Sequence, residues 1–101
     1  MFHIMVLLKV KNPRDIDTVA TLLAQVSAVT LEEESCCKKL DVYHSQVDPN
    51  LFVLVEQWDK KEDWEAHRNE RAFKEIYQPQ VLPLVEREPH ISELISTPRS
   101  L

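Results

Sequence analysis

The chain has no glycine in 101 residues. Every turn must be made without the one residue that enters the left-handed region at no steric cost. Reversals must then fall on Asn, Asp and Pro, or be longer than the tightest hairpin loops. Asp48-Pro49-Asn50, between two apolar runs, fits this demand. Pro49 presets φ, and Asn50 is the residue expected to tolerate the left-handed conformation. The missing glycine also excludes the glycine-rich loops that cradle nucleotide phosphates.

Between such breaks the apolar pattern changes period. Phe2 to Val10 alternates, with Ile4, Val6, Leu8 and Val10 on one face and His3, Met5, Leu7 and Lys9 on the other. Both faces are apolar at mid-strand, which predicts cover on both sides. Asn12-Pro13-Arg14-Asp15 carries helix-start chemistry, with Asn12 as cap and Pro13 in the first position. Ile16, Val19, Leu22, Leu23, Val26 and Val29 then predict an amphipathic helix of roughly 17 residues. Leu31 to Ser35 reads as a polar connection. Cys37 to Val47 reads as a second strand, with Leu40, Val42 and His44 on one face and Lys39, Asp41 and Tyr43 on the other. Leu51 to Trp58 is the third strand, hairpinned to the second. Asp59 and Glu62 have capping-box spacing for another helix. Asn69 can cap a further one bearing Phe73, Ile76 and Tyr77, and Pro79 and Pro83 predict a break or a kink beyond Tyr77. Glu88 to Ile95 is the last strand. Residues 1–96 are expected to form a single domain, and residues 97–101 a frayed tail.

The order β-α-β-β-α-β predicts an α+β, ferredoxin-like fold: an antiparallel four-stranded sheet with helices on one face. The other face needs a partner. A second copy of the same sheet meets that need, giving a homodimer through the open sheet faces, a dimeric α+β barrel.

The net charge is −5, and Lys38-Lys39 and Lys60-Lys61 are the only paired basic residues. No basic stripe tracks a phosphate backbone, so a nucleic-acid partner is not expected. The apolar start, Phe2 to Leu8, is interrupted by Lys9 and lacks a basic leader and a cleavage site, so it reads as a strand. No apolar run reaches the ~18 residues of a membrane span. The adjacent Cys36 and Cys37 are poorly placed to bridge each other and read as free thiols in a reducing, cytoplasmic compartment. His3, His44, His67 and His90 fall on four elements without ligand spacing, so no metal site is expected. No Ser-His-Asp nucleophile signature is present.

The stretch Leu51 to His67, LFVLVEQWDKKEDWEAH, is the most specific in the chain. A strand ending in Glu56-Gln57-Trp58, followed by a charged helix ending in Ala66-His67, resembles the antibiotic biosynthesis monooxygenase family. The resemblance extends to the hairpin at Asp48-Pro49 and to the acidic run Glu32-Glu33-Glu34-Ser35-Cys36, which lacks the glycine common in the family. The family's Thr-Pro-His segment corresponds to Glu70-Arg71-Ala72, so its second histidine is absent. A haem-degrading branch uses an Asn, a Trp and a His at places corresponding to Val6 or Leu7, His67 and Tyr77. None matches, which disfavours haem degradation. The resemblance implies a small dimeric α+β protein that oxidises quinol-like, aromatic or polyketide-like small molecules with O2 and no cofactor.

Such chemistry needs a general base, a hydrogen bond to orient the substrate oxygen, and a dry pocket. His67 is the first candidate base, one helical turn from Trp64 and Asp63. The other reading of His67 is structural, a ring bonded to a carbonyl or carboxylate. Tyr77, on one helix face with Phe73, is the second catalytic candidate, or else a core tyrosine. Trp58, Trp64 and Phe73 are candidate substrate-binding walls or plain core. His44 is a further candidate on the Leu40–Val42 face. Glu56, among apolar neighbours, must find a partner or hold its proton more tightly. Two functions follow: a cofactor-independent monooxygenase, or a non-catalytic dimeric module that binds a small ligand. A closed pocket holding His67 or Tyr77 with an aromatic wall favours the first; a cleft filled by Trp58, Trp64 and Phe73 favours the second.

Overall fold

The computed structural model describes residues 1–96, so the expected tail at 97–101 lies outside the described residues. The strands are β1 (Phe2–Val10), β2 (Cys37–His44), β3 (Leu51–Trp58) and β4 (Val85–Ser92). The helices are α1 (Ile16–Glu33), α2 (Lys61–Ala66) and α3 (Ala72–Val81). The sheet order is β2-β3-β1-β4, with every pairing antiparallel. This is the ferredoxin-like arrangement that the element order predicts.

Alternation fixes which side chains enter the core. Ile4, Val6, Leu8 and Val10 of β1 are buried, as are Leu40 of β2 and Phe52, Leu54, Glu56 and Trp58 of β3. They meet Val19, Leu23 and Val26 of α1 and Ile76, Tyr77 and Val81 of α3. The other face carries Met5, Leu7, Val53 and Val55, partly or fully exposed. The expected cover on that face is therefore not supplied by the chain itself.

Several local expectations change. α1 runs on through Glu33, so the polar connection shrinks. β2 ends at His44, while β4 begins at Val85 and ends at Ser92. Asp59 does not cap α2: Lys60 holds the cap position and no side-chain bond is made there. Asn50 is not left-handed, because no described residue has positive φ. The loop instead uses side chains where glycine would bend the backbone. Ser45 Oγ accepts from the amides of Val47 and Asp48, and Asp48 Oδ1 accepts from Asn50 N. Asn50 Nδ2 then donates to Val10 O at 2.9 Å, tying the loop to β1.

Pro79 does not break α3. The helix widens, with bonds reaching five residues back, and continues to Val81. Pro79 has no N–H for the carbonyl of Glu75, its partner in an ordinary helix. The Gln80 side chain supplies that donor instead, Nε2 to Glu75 O at 2.9 Å.

Candidate functional site

A narrow cavity lies between the sheet and the helices. Its apolar lining is Val26 of α1, Leu40 and Leu54 of the sheet, Trp64 of α2 and Phe73 of α3. Its polar lining is Glu56, His67, Arg68, Tyr77 and Arg87. The volume is about 30 Å³. That suffices for one or two waters and falls far below the ~300 Å³ at which small-molecule pockets begin.

The chain geometry explains the polar groups. Register places Glu56 between Ile4 and Leu40, so alternation sends its carboxylate to the helix side. There Trp58 Nε1 donates to Glu56 Oε1 at 3.0 Å. Burial pushes the Glu56 carboxyl towards its neutral form, while the Trp58 bond and the charges of His67 and Arg87 oppose that push. The sequence asked for a pairing with Arg, Lys or His or for a raised pKa; the pKa is raised, and the hydrogen-bond partner is an indole instead of a cation.

His67 follows the last turn of α2, and its side chain is 9 % exposed. Its Nδ1 lies 2.7 Å from Glu34 Oε1. Glu34 sits just past the C-terminus of α1 in an extended conformation, which carries its side chain beneath His67. This carboxylate was not among the sequence candidates; it lies 33 residues from His67, inside what reads as a linker. Burial, then the charges of Glu70 and Glu33, push the Glu34 carboxyl up to about 7. Burial lowers the pKa of His67. Glu34 Oε2 is buried without a partner. A carboxylate on Nδ1 fixes the ring and leaves Nε2 as the second nitrogen.

At the other end Arg87 Nε donates to Tyr77 Oη at 3.2 Å. Burial raises the Tyr77 pKa, against the pull of the Arg87 charge. Arg68 and Arg87 were also not sequence candidates. Arg68 lies over the Trp64 ring at 5.8 Å.

Of the sequence candidates, Glu56, Trp64, His67, Phe73 and Tyr77 all line this cavity. Trp58 does not line it. It is a core residue, 1 % exposed, whose ring packs against His67 with centroids 5.0 Å apart. His44 lies elsewhere, stacked on Phe52 at 4.3 Å and bonded to Pro49 O at 2.7 Å. On the far side of His67 an acidic hollow holds Glu33, Glu34, Asp63 and Glu70. Near it Cys36, Asp59 and Asp63 bring potential ligand atoms within 4.8 Å of one another, a grouping their sequence spacing does not announce. Cys37 is buried, with its thiol pushed up to about 12 by burial.

A model of the family described as antibiotic biosynthesis monooxygenase matches residues 1–79. No curated protein matches the chain. Among solved structures, the chain is similar to an antibiotic biosynthesis monooxygenase at 20 % identity and a TM-score of 0.84, covering 95 % of this chain and 100 % of that one. A Nitrosomonas europaea protein assigned to the same group gives 19 % identity and a TM-score of 0.84, again over 95 % and 100 %. A conserved protein of unknown function from Bacteroides thetaiotaomicron gives 22 % and 0.83, over 92 % of this chain and 96 % of that one. At such identities these likenesses show a shared fold. No helix among the described residues is long and apolar enough to cross a membrane.

Proposed function

The chain belongs to the antibiotic biosynthesis monooxygenase family, and from that premise we propose that it is a cofactor-independent monooxygenase acting with O2 on a small aromatic, quinol or polyketide-like substrate. One observation carries the reading: a small, aromatic-walled cavity holds His67, with its Nδ1 on the Glu34 carboxylate, together with the Tyr77 hydroxyl.

His67 is the general base. Glu34 holds Nδ1, so Nε2 takes a proton from the substrate, leaving a carbanion or phenolate. Tyr77 and Arg87 stabilise the substrate oxygen on which that charge collects. The anion passes one electron to O2, and the radical pair combines into a peroxide at the substrate carbon. For a CH2 centre the peroxide then loses water: the carbon becomes C=O, one oxygen atom stays, and the other leaves as H2O. The protonated His67 returns its proton to that water. Trp64 and Phe73 flank the flat substrate, and Glu56, whose carboxyl burial pushes above its ordinary range, lies on the floor. The apolar walls exclude bulk water from the anion.

The chain functions as a homodimer joined through the open sheet face, where Met5, Leu7, Val53 and Val55 lack cover. Light scattering at micromolar concentration gives about twice the 11.8 kDa chain mass; a clean monomer contradicts the sheet-to-sheet assembly. Free Cys36 and Cys37 suit a reducing compartment such as the cytoplasm.

A second reading, a non-catalytic ligand-binding module, is favoured by the volume of about 30 Å³. Oxygen uptake decides between them. Chelator-treated protein is offered a panel of quinols and anthrone-like phenols, with and without air. The oxygenase reading expects catalysed oxygen uptake and a product carrying one oxygen from O2. Binding without uptake across the panel overturns it in favour of the binding module.

A further inference from the structure

We infer that the substrate carries an anionic substituent, of the hydroxyaromatic carboxylate class, held at the cavity mouth by Arg68 and Arg87. This rests on the reading of the cavity as a substrate site.

The argument begins with charge pairing. The chain is acidic, at −5, so carboxylates are plentiful partners. Lys9, Lys38, Lys39 and Arg71 each sit within 4.0 Å of one. Among the described residues Arg68 and Arg87 do not, and neither do Lys11, Arg14, Lys60, Lys61 and Lys74; of these only Arg68 and Arg87 line the cavity. Their partners are instead a ring face and a phenol: Trp64 for Arg68 and Tyr77 for Arg87. Neither partner neutralises a guanidinium. The nearby buried carboxyl, Glu56, takes its hydrogen bond from Trp58.

Both guanidiniums also share one place. Arg68, Phe73 and Arg87 line the inner cavity and equally an adjoining outer cleft of about 340 Å³. Phe73 therefore stands between a chamber too small for a ring and a cleft large enough for one. A flat substrate that displaces Phe73 joins the two spaces, and its outer substituent then lies between the arginines. Planar guanidiniums favour a carboxylate, which can accept two parallel bonds from each. The acidic hollow on the far side of His67 repels an anion from that direction, so charge orients the ligand. The reacting hydroxyl points inward to His67 and Tyr77, and the carboxylate outward.

Calorimetric titration with two stable probes tests this. The probes are 6-hydroxy-2-naphthoate, whose hydroxyl and carboxylate lie at opposite ends of the ring system, and 2-naphthol, which differ only in the carboxylate. The carboxylate probe is expected to bind about tenfold tighter or more, and added salt to weaken it. Arg68→Gln and Arg87→Gln are each expected to cut that preference to about threefold or less. Arg71→Gln, whose side chain is paired with Glu33 on the surface, leaves it intact. Arg68 is exposed, so its variant keeps the test valid if the Arg87 variant fails to fold. Equal affinity for the two probes overturns the inference, as does no binding of either, or a preference that survives both substitutions. Oxygen uptake separates this inference from the function beneath it. Faster turnover of an uncharged naphthohydroquinone than of its 6-carboxylate contradicts the anionic class and leaves the oxygenase standing.

Discussion

The two ends of the cavity are built from opposite charges. At one end Glu34 holds His67, with Glu33, Asp63 and Glu70 crowding the far side of the ring. At the other Arg87 donates to Tyr77, with Arg68 beside it. The acidic end makes a good proton acceptor, since a carboxylate on Nδ1 stabilises the cation that forms when Nε2 takes a proton. The basic end suits the negative charge left on the substrate. Between them lies Glu56, bonded to Trp58 in the core behind it. The lesson is that one small cavity can favour both halves of a proton transfer when each half faces its own electrostatic surroundings.

The largest expected effect is at the acidic end. His67→Ala removes the proposed base and is expected to lower oxygen uptake by ~10²–10⁴-fold, with an unchanged circular dichroism spectrum. Full turnover moves the base elsewhere, with Tyr77 next in line. A lost folded signal leaves only the structural role for His67.

Glu34→Gln sharpens the comparison through pH. The Glu34 carboxyl titrates near 7, well above its ordinary 4.5. Below that pH the Glu34–His67 pair holds an extra proton, so wild-type kcat/KM is expected to fall as pH drops through about 7. The glutamine variant keeps the ring oriented but loses the charge. Its rate is expected to fall about tenfold at pH 8, the order of a charge-assisted hydrogen bond, and its acid limb to shift lower. Stability carries the same sign. A folded-state pKa raised above the unfolded one stabilises most below the unfolded value, and that contribution is lost as pH rises from about 4.5 to about 7. Burial of His67 acts oppositely, because its lowered pKa costs stability as pH falls through 6.5. Melting curves of wild type and Glu34→Gln between pH 4.5 and 8 separate the two. The variant keeps only the His67 slope, and an unchanged profile contradicts the assignment to Glu34.

The floor comes next. Trp58→Phe leaves Glu56 Oε1 without its donor inside the core and is expected to cost ~1–3 kcal/mol of stability, measured by urea unfolding. No change means that another group or a water takes over the bond. The smallest effect belongs to the basic end. Tyr77→Phe removes one hydroxyl and is expected to cost ~1 kcal/mol. It lowers kcat more than it raises KM and leaves the acid limb near pH 7 in place. A displaced limb couples the two ends and undoes the separation drawn between them.

Much of this fold was legible in the chain because its signals are local. Alternation in Phe2–Val10 and Leu51–Trp58 gave both strands to the residue. The motif Ala66-His67 drew attention to a residue that lines the cavity. The turn at Asn50 was misjudged because side-chain bonds from Ser45 and Asp48 replaced a left-handed residue. Pro79 was misjudged because the Gln80 side chain satisfies the carbonyl that proline abandons. Glu34, Arg68 and Arg87 escaped notice for another reason. Their roles come from contacts across the fold, and a charged residue in a linker, a helix end or an edge strand looks locally like solvated surface. The pattern could have raised one flag: a triple glutamate at a helix C-terminus is unfavourable beside the helix dipole and asks for a partner.

The most direct test of the central claim is the protonation state of His67, read by ¹⁵N NMR of labelled protein between pH 5 and 9. The account predicts that at pH 8 Nδ1 carries the hydrogen and Nε2 is a bare, pyridine-type nitrogen, and that Glu34→Gln alters the titration. An imidazolium persisting to pH 9, or a neutral ring with its hydrogen on Nε2, would contradict it, because His67 could then accept no proton from a substrate in the cavity.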